Sequence, residues 1–378
     1  MFTFYLKKLI LVALIGIVVS AIATPISIKI ANKFDIIDKP RDDRRIHDRP
    51  IPRFGGMGIF LGSMAALIIP AGMSDKILIA MLGGVLMYLL GVVDDIKDLK
   101  PSVKFTGQVA IASLMFAMGI KITFVGNYIA STAAVIETRL PLSTGAAYIV
   151  TVLWIVGITN AVNLMDGMDG LAAGSVAIMS LSLAYVAYIH GVRLGMMAVC
   201  VAFVAVAGSC IGFLPYNTSP AKTFMGDGGA LFLGYMIAIL SVISPLKRAT
   251  FIGTIIPIMA LAVPIFDTLF AIIRRIYRRE SVMKADKDHL HHRLMAAGFG
   301  QRRSVLVMYG IVGLMGEVAV LFSRELYKDA FFLFAIACLY LFIILVPKQP
   351  LEKKQARMEY MKRRREERRL ENDAKNQE

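Results

Sequence analysis

The chain has 378 residues, with 42 Lys+Arg against 27 Asp+Glu, a net charge of +15. Apolar residues make up 57 % and charged residues 18 %, against roughly a half and a quarter in an ordinary soluble domain. This composition excludes a disordered chain, a fibrous protein and a disulfide scaffold, and it argues against a soluble enzyme. Cys200, Cys210 and Cys338 lie inside apolar runs and read as small buried hydrophobes.

A helix that crosses a bilayer needs about 20 mostly apolar residues. Eleven runs suit this, with approximate limits 8–30, 55–71, 76–93, 105–124, 147–163, 171–189, 194–213, 229–246, 250–273, 304–323 and 329–347. The expected fold is therefore an all-α polytopic membrane protein of about eleven transmembrane helices. Run 55–71 is short and rich in glycine, and run 147–163 ends in polar residues. The N-terminal run superficially resembles a signal peptide, with Lys7, Lys8 and an Ala21-Ile22-Ala23 sequence, but it is longer than a usual h-region and is read as a span.

Lysine and arginine favour the cytoplasmic side of a membrane. One alternate set of connections (32–54, 94–104, 164–170, 214–228, 274–303 and the tail from 348), with Lys29 at the end of the first span, holds 32 of the 42 basic residues. That set is assigned to the cytoplasm, which puts the N-terminus outside and the C-terminus inside; Lys7 and Lys8 are outvoted. The expected organisation is an integral membrane domain over 1–347 and a basic cytoplasmic tail over 348–378. The tail contains Lys362-Arg363-Arg364-Arg365. It reads as a solvated topology determinant that anionic lipid headgroups would attract; without an aromatic platform it does not suggest nucleic-acid binding.

Carboxylates at membrane spans are costly, so their placement is informative. Asp94, Asp95, Asp98, Asp166, Asp169, Asp227, Asp286 and Asp288 all fall on the side assigned to the cytoplasm. A transporter would be expected to hold such groups near the midplane; a rim cluster suggests chemistry between a soluble and a lipid substrate. In chain order, the loop Arg41–Arg53 comes first, and its basic residues either touch an anionic substrate or only set orientation. In Gly91-Val92-Val93-Asp94-Asp95-Ile96-Lys97-Asp98, a continued helix would put Asp94 and Asp98 on one face, with Asp95 turned away. Adjacent carboxylates call for a cation, and oxygen ligands favour magnesium or manganese. Lys97, Lys100 and Lys104 could hold phosphate oxygens.

Next, Asn160, Asn163, Asp166 and Asp169 recur every three residues at the end of an apolar span, with Gly167 and Gly170 allowing close approach of a ligand. In Thr223-Phe224-Met225-Gly226-Asp227-Gly228-Gly229, one acid among glycines precedes a helix; backbone N–H groups there could bind phosphate while the acid holds a metal. Asp267, inside a span, reads as half of a buried ion pair. Finally, Asp286-Lys287-Asp288-His289-Leu290-His291-His292-Arg293 gathers three of the five histidines beside an arginine, which suits a diphosphate better than zinc. No P-loop pattern occurs.

These motifs, in this order and on one side, resemble the polyprenyl-phosphate N-acetylhexosamine-1-phosphate transferase family, glycosyltransferase family 4, over nearly all of the chain up to about residue 347. His289-Leu290-His291-His292-Arg293-Leu294 and Pro52-Arg53-Phe54-Gly55-Gly56 are similar to the undecaprenyl-phosphate N-acetylglucosamine-1-phosphate transferases that begin wall teichoic acid and related polymers. The pentapeptide-transferase branch has three consecutive histidines, a run that Leu290 interrupts here. The resemblance implies a magnesium-dependent transfer from UDP-N-acetylglucosamine to undecaprenyl phosphate in a bacterial cell membrane, with the active site facing the cytoplasm. It implies that Asp94 and Asp95 belong to a metal and lipid-phosphate site, with Asp94 favoured for any base role. It makes Asp227 the foremost metal ligand, and puts Asn163, Asp166 and Asp169 near metal and nucleotide. Lys104 would lie at phosphate, and His289, His291, His292 and Arg293 at diphosphate and sugar. A second copy of the chain is a candidate partner. Two alternatives stand beside this reading: the same fold using another UDP-N-acetylhexosamine, and a transporter of an anionic substrate.

Overall fold

The structure, a computed structural model, describes residues 2–38, 50–68, 74–131, 134–194, 197–244 and 299–345, with isolated positions between 258 and 295. Among the described residues the chain is mostly helical. The helices are α1 (Phe2–Lys33), α2 (Gly56–Ile68), α3 (Asp75–Lys97), α4 (Pro101–Ala117), α5 (Thr144–Met165), α6 (Leu171–Leu194), α7 (Met197–Asn217), α8 (Gly226–Ile243), α9 (Gln301–Ser323) and α10 (Tyr327–Leu345). Seven of them, α1, α3 and α5 to α9, contain a stretch long and apolar enough to cross a membrane.

The expected count of eleven is not reached among these residues. Of the run 55–71, the 13 residues of α2 are helical, and α2 ends where the described residues stop. The run 105–124 becomes α4, 17 residues long and ending at Ala117. Most of run 250–273, together with Asp267, Asp286, Asp288 and the tail, lies outside the described residues. The all-α expectation is also corrected. Strands β3 (Phe124–Ser131) and β4 (Ala134–Pro141) form an antiparallel hairpin running from the Phe124–Pro141 pair to Ser131–Ala134. Seven of the 16 strand residues are β-branched or aromatic, and such side chains favour an extended backbone. Strands β1 (Ile37–Asp38) and β2 (Ile51–Pro52) form a second, minimal antiparallel pair.

α8 is the hub of the bundle. Leu231 to Leu240 are wholly buried on every face, as expected of a helix that is apolar all round. α3 and α5 pack along it, α1 and α2 pack with α7, and α6 lies between α7 and α9. The outward surface is apolar. Along α1, Leu6, Ile10, Leu14, Val18, Ile22 and Ile26 form an exposed stripe at four-residue spacing. Such a stripe is at home against lipid and out of place in water. Pro25 has no N–H for the Ala21 carbonyl, and the Tyr216 hydroxyl donates to that oxygen instead, at 3.1 Å.

Small residues let the helices approach closely. Gly83 faces the Tyr235 ring, Gly234 faces the backbone of Thr159, and Gly91 lies directly on the backbone of Asp227 and Gly228. The last contact brings the C-terminal end of α3 onto the N-terminal end of α8. A methyl at Gly91 has nowhere to go, whereas one at Gly157 meets nothing within 4 Å. Gly91→Ala should therefore lower the melting temperature of the detergent-solubilised protein by several degrees, while Gly157→Ala holds or raises it. Thermal unfolding of the two variants checks this, and equal melting points would contradict the close approach.

Candidate active site at the end of the bundle

The C-terminal ends of α3, α5 and α7 and the N-terminal ends of α2, α4, α6, α8 and α9 gather at one end of the bundle. The segment before α2 is tied to the segment before α8 by backbone pairing. Phe224 N–H donates to the Pro52 carbonyl at 2.9 Å, and Gly55 and Gly56 N–H donate to Phe224 and Met225 at 2.9 and 3.0 Å. The Thr223 hydroxyl also donates to Pro52, at 2.8 Å. Gly226 then turns the chain into α8 with φ +67°, and its α-carbon is enclosed by the Arg53 carbonyl and the Asp95 carboxylate. A side chain is excluded there by both the dihedral and the space.

Asp227 stands at the first turn of α8 and is the convergence point. Its Oδ1 accepts from Lys104 Nζ at 2.5 Å and from Asn163 Nδ2 at 2.7 Å. Its Oδ2 faces Arg53 Nη2 at 3.5 Å. Lys104 Nζ also lies 2.8 Å from Asp94 Oδ2, so one ammonium holds carboxylates from α3 and α8 together. The other oxygen of Asp94 accepts the Leu99 N–H at 2.9 Å.

Asp95 plays a different part from its neighbour. Its two oxygens accept the N–H groups of Asp227 and Gly228 at 2.8 and 2.9 Å. It thus satisfies donors that a helix N-terminus leaves open, with favourable dipole interaction. Its side chain is 1 % exposed, against 20 % for Asp227 and 36 % for Arg53. Asp98 is not stacked over Asp94, as a continuing helix would require. It ends α3 in the left-handed region at φ 50°.

The polar row at the end of α5 fans out rather than lining one wall. Asn160 exchanges amide hydrogen bonds with Gln108 of α4, Asn163 reaches Asp227, and Asp169 accepts the Ala221 N–H at 3.1 Å. Asp166 is half-buried just after α5. Its enclosure, and then the charge of Asp227, push its carboxyl well above the ordinary value. His289, His291, His292 and Arg293 lie outside the described residues.

Three supporting residues were not singled out from the sequence. Asn217, at the end of α7, accepts the Gly170 N–H at 3.1 Å and donates to the Thr223 carbonyl at 3.0 Å. It thereby joins the Asp166–Gly170 turn to the segment leading into Asp227. The Tyr309 hydroxyl of α9 donates to the Gly170 carbonyl at 2.6 Å. Gln108 is the third. No local pattern marks them, since each makes a contact with a residue distant in sequence.

The carboxylates gathered here, those of Asp94, Asp95 and Asp227, offer oxygen ligands, which suit a hard divalent ion such as magnesium. Among the described residues no group of three acidic, histidine or cysteine side chains is set as a ready-made cage. Magnesium commonly binds through one or two carboxylates plus substrate phosphates, and Asp227, partly exposed, is the group that meets that description.

The chain has relatives among known proteins. The model of glycosyl transferase family 4 matches residues 77–245. A Bacillus subtilis protein, described as a probable undecaprenyl-phosphate N-acetylglucosaminyl 1-phosphate transferase, is 39 % identical over 332 residues, covering 87 % of this chain and 89 % of that one. The chain belongs to glycosyl transferase family 4. A decaprenyl-phosphate N-acetylglucosaminephosphotransferase of Mycobacterium leprae is 31 % identical over 358 residues, 88 % of each chain. A phospho-N-acetylmuramoyl-pentapeptide-transferase of Staphylococcus saprophyticus is 29 % identical over 328 residues, 81 % of this chain and 97 % of its own. The seven apolar helices and this kinship make the family member described here a multi-pass membrane protein. The matched segment contains Asp94, Asp95, Lys104, Asn163, Asp166, Asp169 and Asp227, and leaves out Arg53.

The raised carboxyl of Asp166 has a stability consequence. Between its ordinary value of 3.8 and its raised value, the folded chain holds a proton that the unfolded chain has released. Stability therefore falls as pH rises through that window. In EDTA-treated protein, Asp166→Asn should melt above the wild type at neutral pH, and the two should converge at about pH 3, below both values. A gap that does not change with pH would show that Asp166 is not held neutral.

Proposed function

We propose that this chain transfers N-acetylglucosamine 1-phosphate from UDP-N-acetylglucosamine to undecaprenyl phosphate. An oxygen of the lipid phosphate forms a bond to the sugar-side phosphorus of the donor. The bond from that phosphorus to the oxygen it shares with UMP breaks, and UMP leaves with the electron pair. The observation that carries the reading is the meeting of Asp94, Lys104, Asn163, Asp227 and Arg53 at one end of an apolar bundle, where a lipid headgroup and a soluble nucleotide can both arrive. The names of the relatives from Bacillus subtilis and Mycobacterium leprae support a polyprenyl phosphate as acceptor and N-acetylglucosamine 1-phosphate as the group transferred.

Two anionic phosphates must approach within bonding distance, so positive charge and fixed dipoles are the main requirement. Magnesium, or manganese in its place, would supply most of that charge, held by Asp227 with Asp94 or Asp166. Lys104 keeps Asp94 and Asp227 in reach of each other, and Asn163 orients Asp227 through Oδ1. Asp95 fixes the first turn of α8 and so aims Asp227. A lipid phosphate is already ionised near neutral pH, so a base role for Asp94 adds little. We assign Asp169 to the nucleotide side, and His289, His291, His292 and Arg293 to diphosphate and sugar. Leu290 breaks the histidine run and favours a sugar without a peptide. The lipid-linked product would start a cell-envelope polymer of the wall teichoic acid kind.

We keep eleven spans from the apolar runs, and the Lys+Arg distribution supports a placement of this site at the cytoplasmic face, with the N-terminus outside and the tail over 348–378 inside.

The test is a purified-protein assay with magnesium, undecaprenyl phosphate and labelled UDP-N-acetylglucosamine. Labelled lipid and UMP should form in equal amounts and cease with EDTA. Asp227→Asn should lower turnover by about 10²-fold or more while the protein still inserts and melts cooperatively. A wild-type protein that makes neither product, or one that prefers another UDP-N-acetylhexosamine in competition, would overturn the substrate assignment.

A further inference from the structure

The two cations in the carboxylate cluster are held very differently. Lys104 is bound at 2.5 and 2.8 Å to two carboxylates, and its side chain is 18 % exposed. It is a fixed counter-ion. Arg53 stands at 3.5 Å from Asp227 Oδ2 and 3.7 Å from Asp95 Oδ1, through a single nitrogen, Nη2, with its side chain 36 % exposed. These are loose contacts, outside good hydrogen-bond geometry. Its backbone is nonetheless rigidly placed. Arg53 N–H donates to the Ile36 carbonyl at 3.1 Å, and its neighbours Pro52 and Gly55 hydrogen-bond to the segment leading into α8. A fixed backbone that carries a partly exposed and weakly engaged guanidinium is the arrangement expected of a group awaiting an anionic partner. The guanidinium fork matches two phosphate oxygens, a geometry that its carboxylate neighbours do not use here.

We infer that Arg53 is a phosphate-binding residue of this site, its guanidinium leaving Asp227 and Asp95 to take phosphate oxygens of an incoming substrate. The inference rests on the transferase reading for the identity of the substrates, but not for the phosphate chemistry. Two sources share that chemistry, the diphosphate of the nucleotide and the phosphate of the lipid. Replacing a fork by a point charge or by an amide separates this role from a merely structural one. A structural counter-ion is served nearly as well by lysine, and its loss weakens every ligand of the site together.

The experiment measures three affinities on wild-type protein, Arg53→Lys and Arg53→Gln in detergent: UDP with magnesium, undecaprenyl phosphate, and manganese alone followed by electron paramagnetic resonance. Arg53→Gln should weaken UDP or undecaprenyl phosphate by about tenfold or more, the value expected for one charge-assisted contact. The ligand that weakens identifies the source, and weakening of both means that Arg53 spans the two. Arg53→Lys should recover only part of the loss. Manganese affinity should hold or rise, because a positive charge has left the neighbourhood of the carboxylates. The inference is overturned if both phosphate ligands bind within twofold of wild type, if lysine restores binding fully, or if manganese affinity falls in parallel with the phosphates. Failure of wild-type turnover would refute the transferase reading, while the two titrations would still judge Arg53.

Discussion

The ammonium of Lys104 sits between the carboxylates of Asp94 and Asp227, and the rest of the site is arranged around that contact. Carboxylates at the edge of a low-dielectric slab repel one another strongly and lose solvation. They can share one small volume only if cations and oriented dipoles answer them. Lys104 answers two of them from α4, and the opening N–H groups of α8 answer Asp95 from a third helix. The result is a cluster in which each of these acids is answered, Asp94 and Asp227 by a shared ammonium and Asp95 by backbone N–H groups, so that its geometry is set before any substrate arrives.

Close packing makes that electrostatic arrangement reachable. Gly91 brings α3 onto the backbone of α8 at the level of Asp227, and Gly226 turns the chain where a side chain would strike Asp95. The pairing of Pro52–Gly56 with Thr223–Met225 fixes the opposite side. Asn217 and Tyr309 then anchor the turn that follows α5. The side chains that face the substrate side stand on helix ends held from several directions, a rigid mounting for groups whose positions must be accurate.

The pair Asp94-Asp95 illustrates how neighbours in sequence separate in purpose. Asp94 joins the ammonium bridge, and Asp95 turns away to cap α8 and is almost sealed from solvent. Two acids that look interchangeable as metal ligands differ because one carboxylate faces the Lys104 ammonium and the other faces the start of a helix. The same logic divides the row after α5, where Asn160 belongs to the contact with α4 and Asn163 to Asp227.

Much of this protein could be read directly from its residues. Apolar runs marked α1, α3 and α5 to α9, because a membrane span needs only length and hydrophobicity, which are local properties. The acids of Gly91–Asp98, Asn160–Gly170 and Thr223–Gly229 stood out because charge beside a span is rare, and the order of these motifs pointed to the family. The hairpin of β3 and β4 was not legible, since its signal is a register between two short segments. Tertiary structure alone decided that Lys104 bridges two acids, that Asp95 caps α8, that Arg53 stands beside Asp227, and that Asn217 and Tyr309 belong to the site. Each of these is a contact between residues far apart in the chain, and its energy depends on distance and burial, which exist only once the helices have packed.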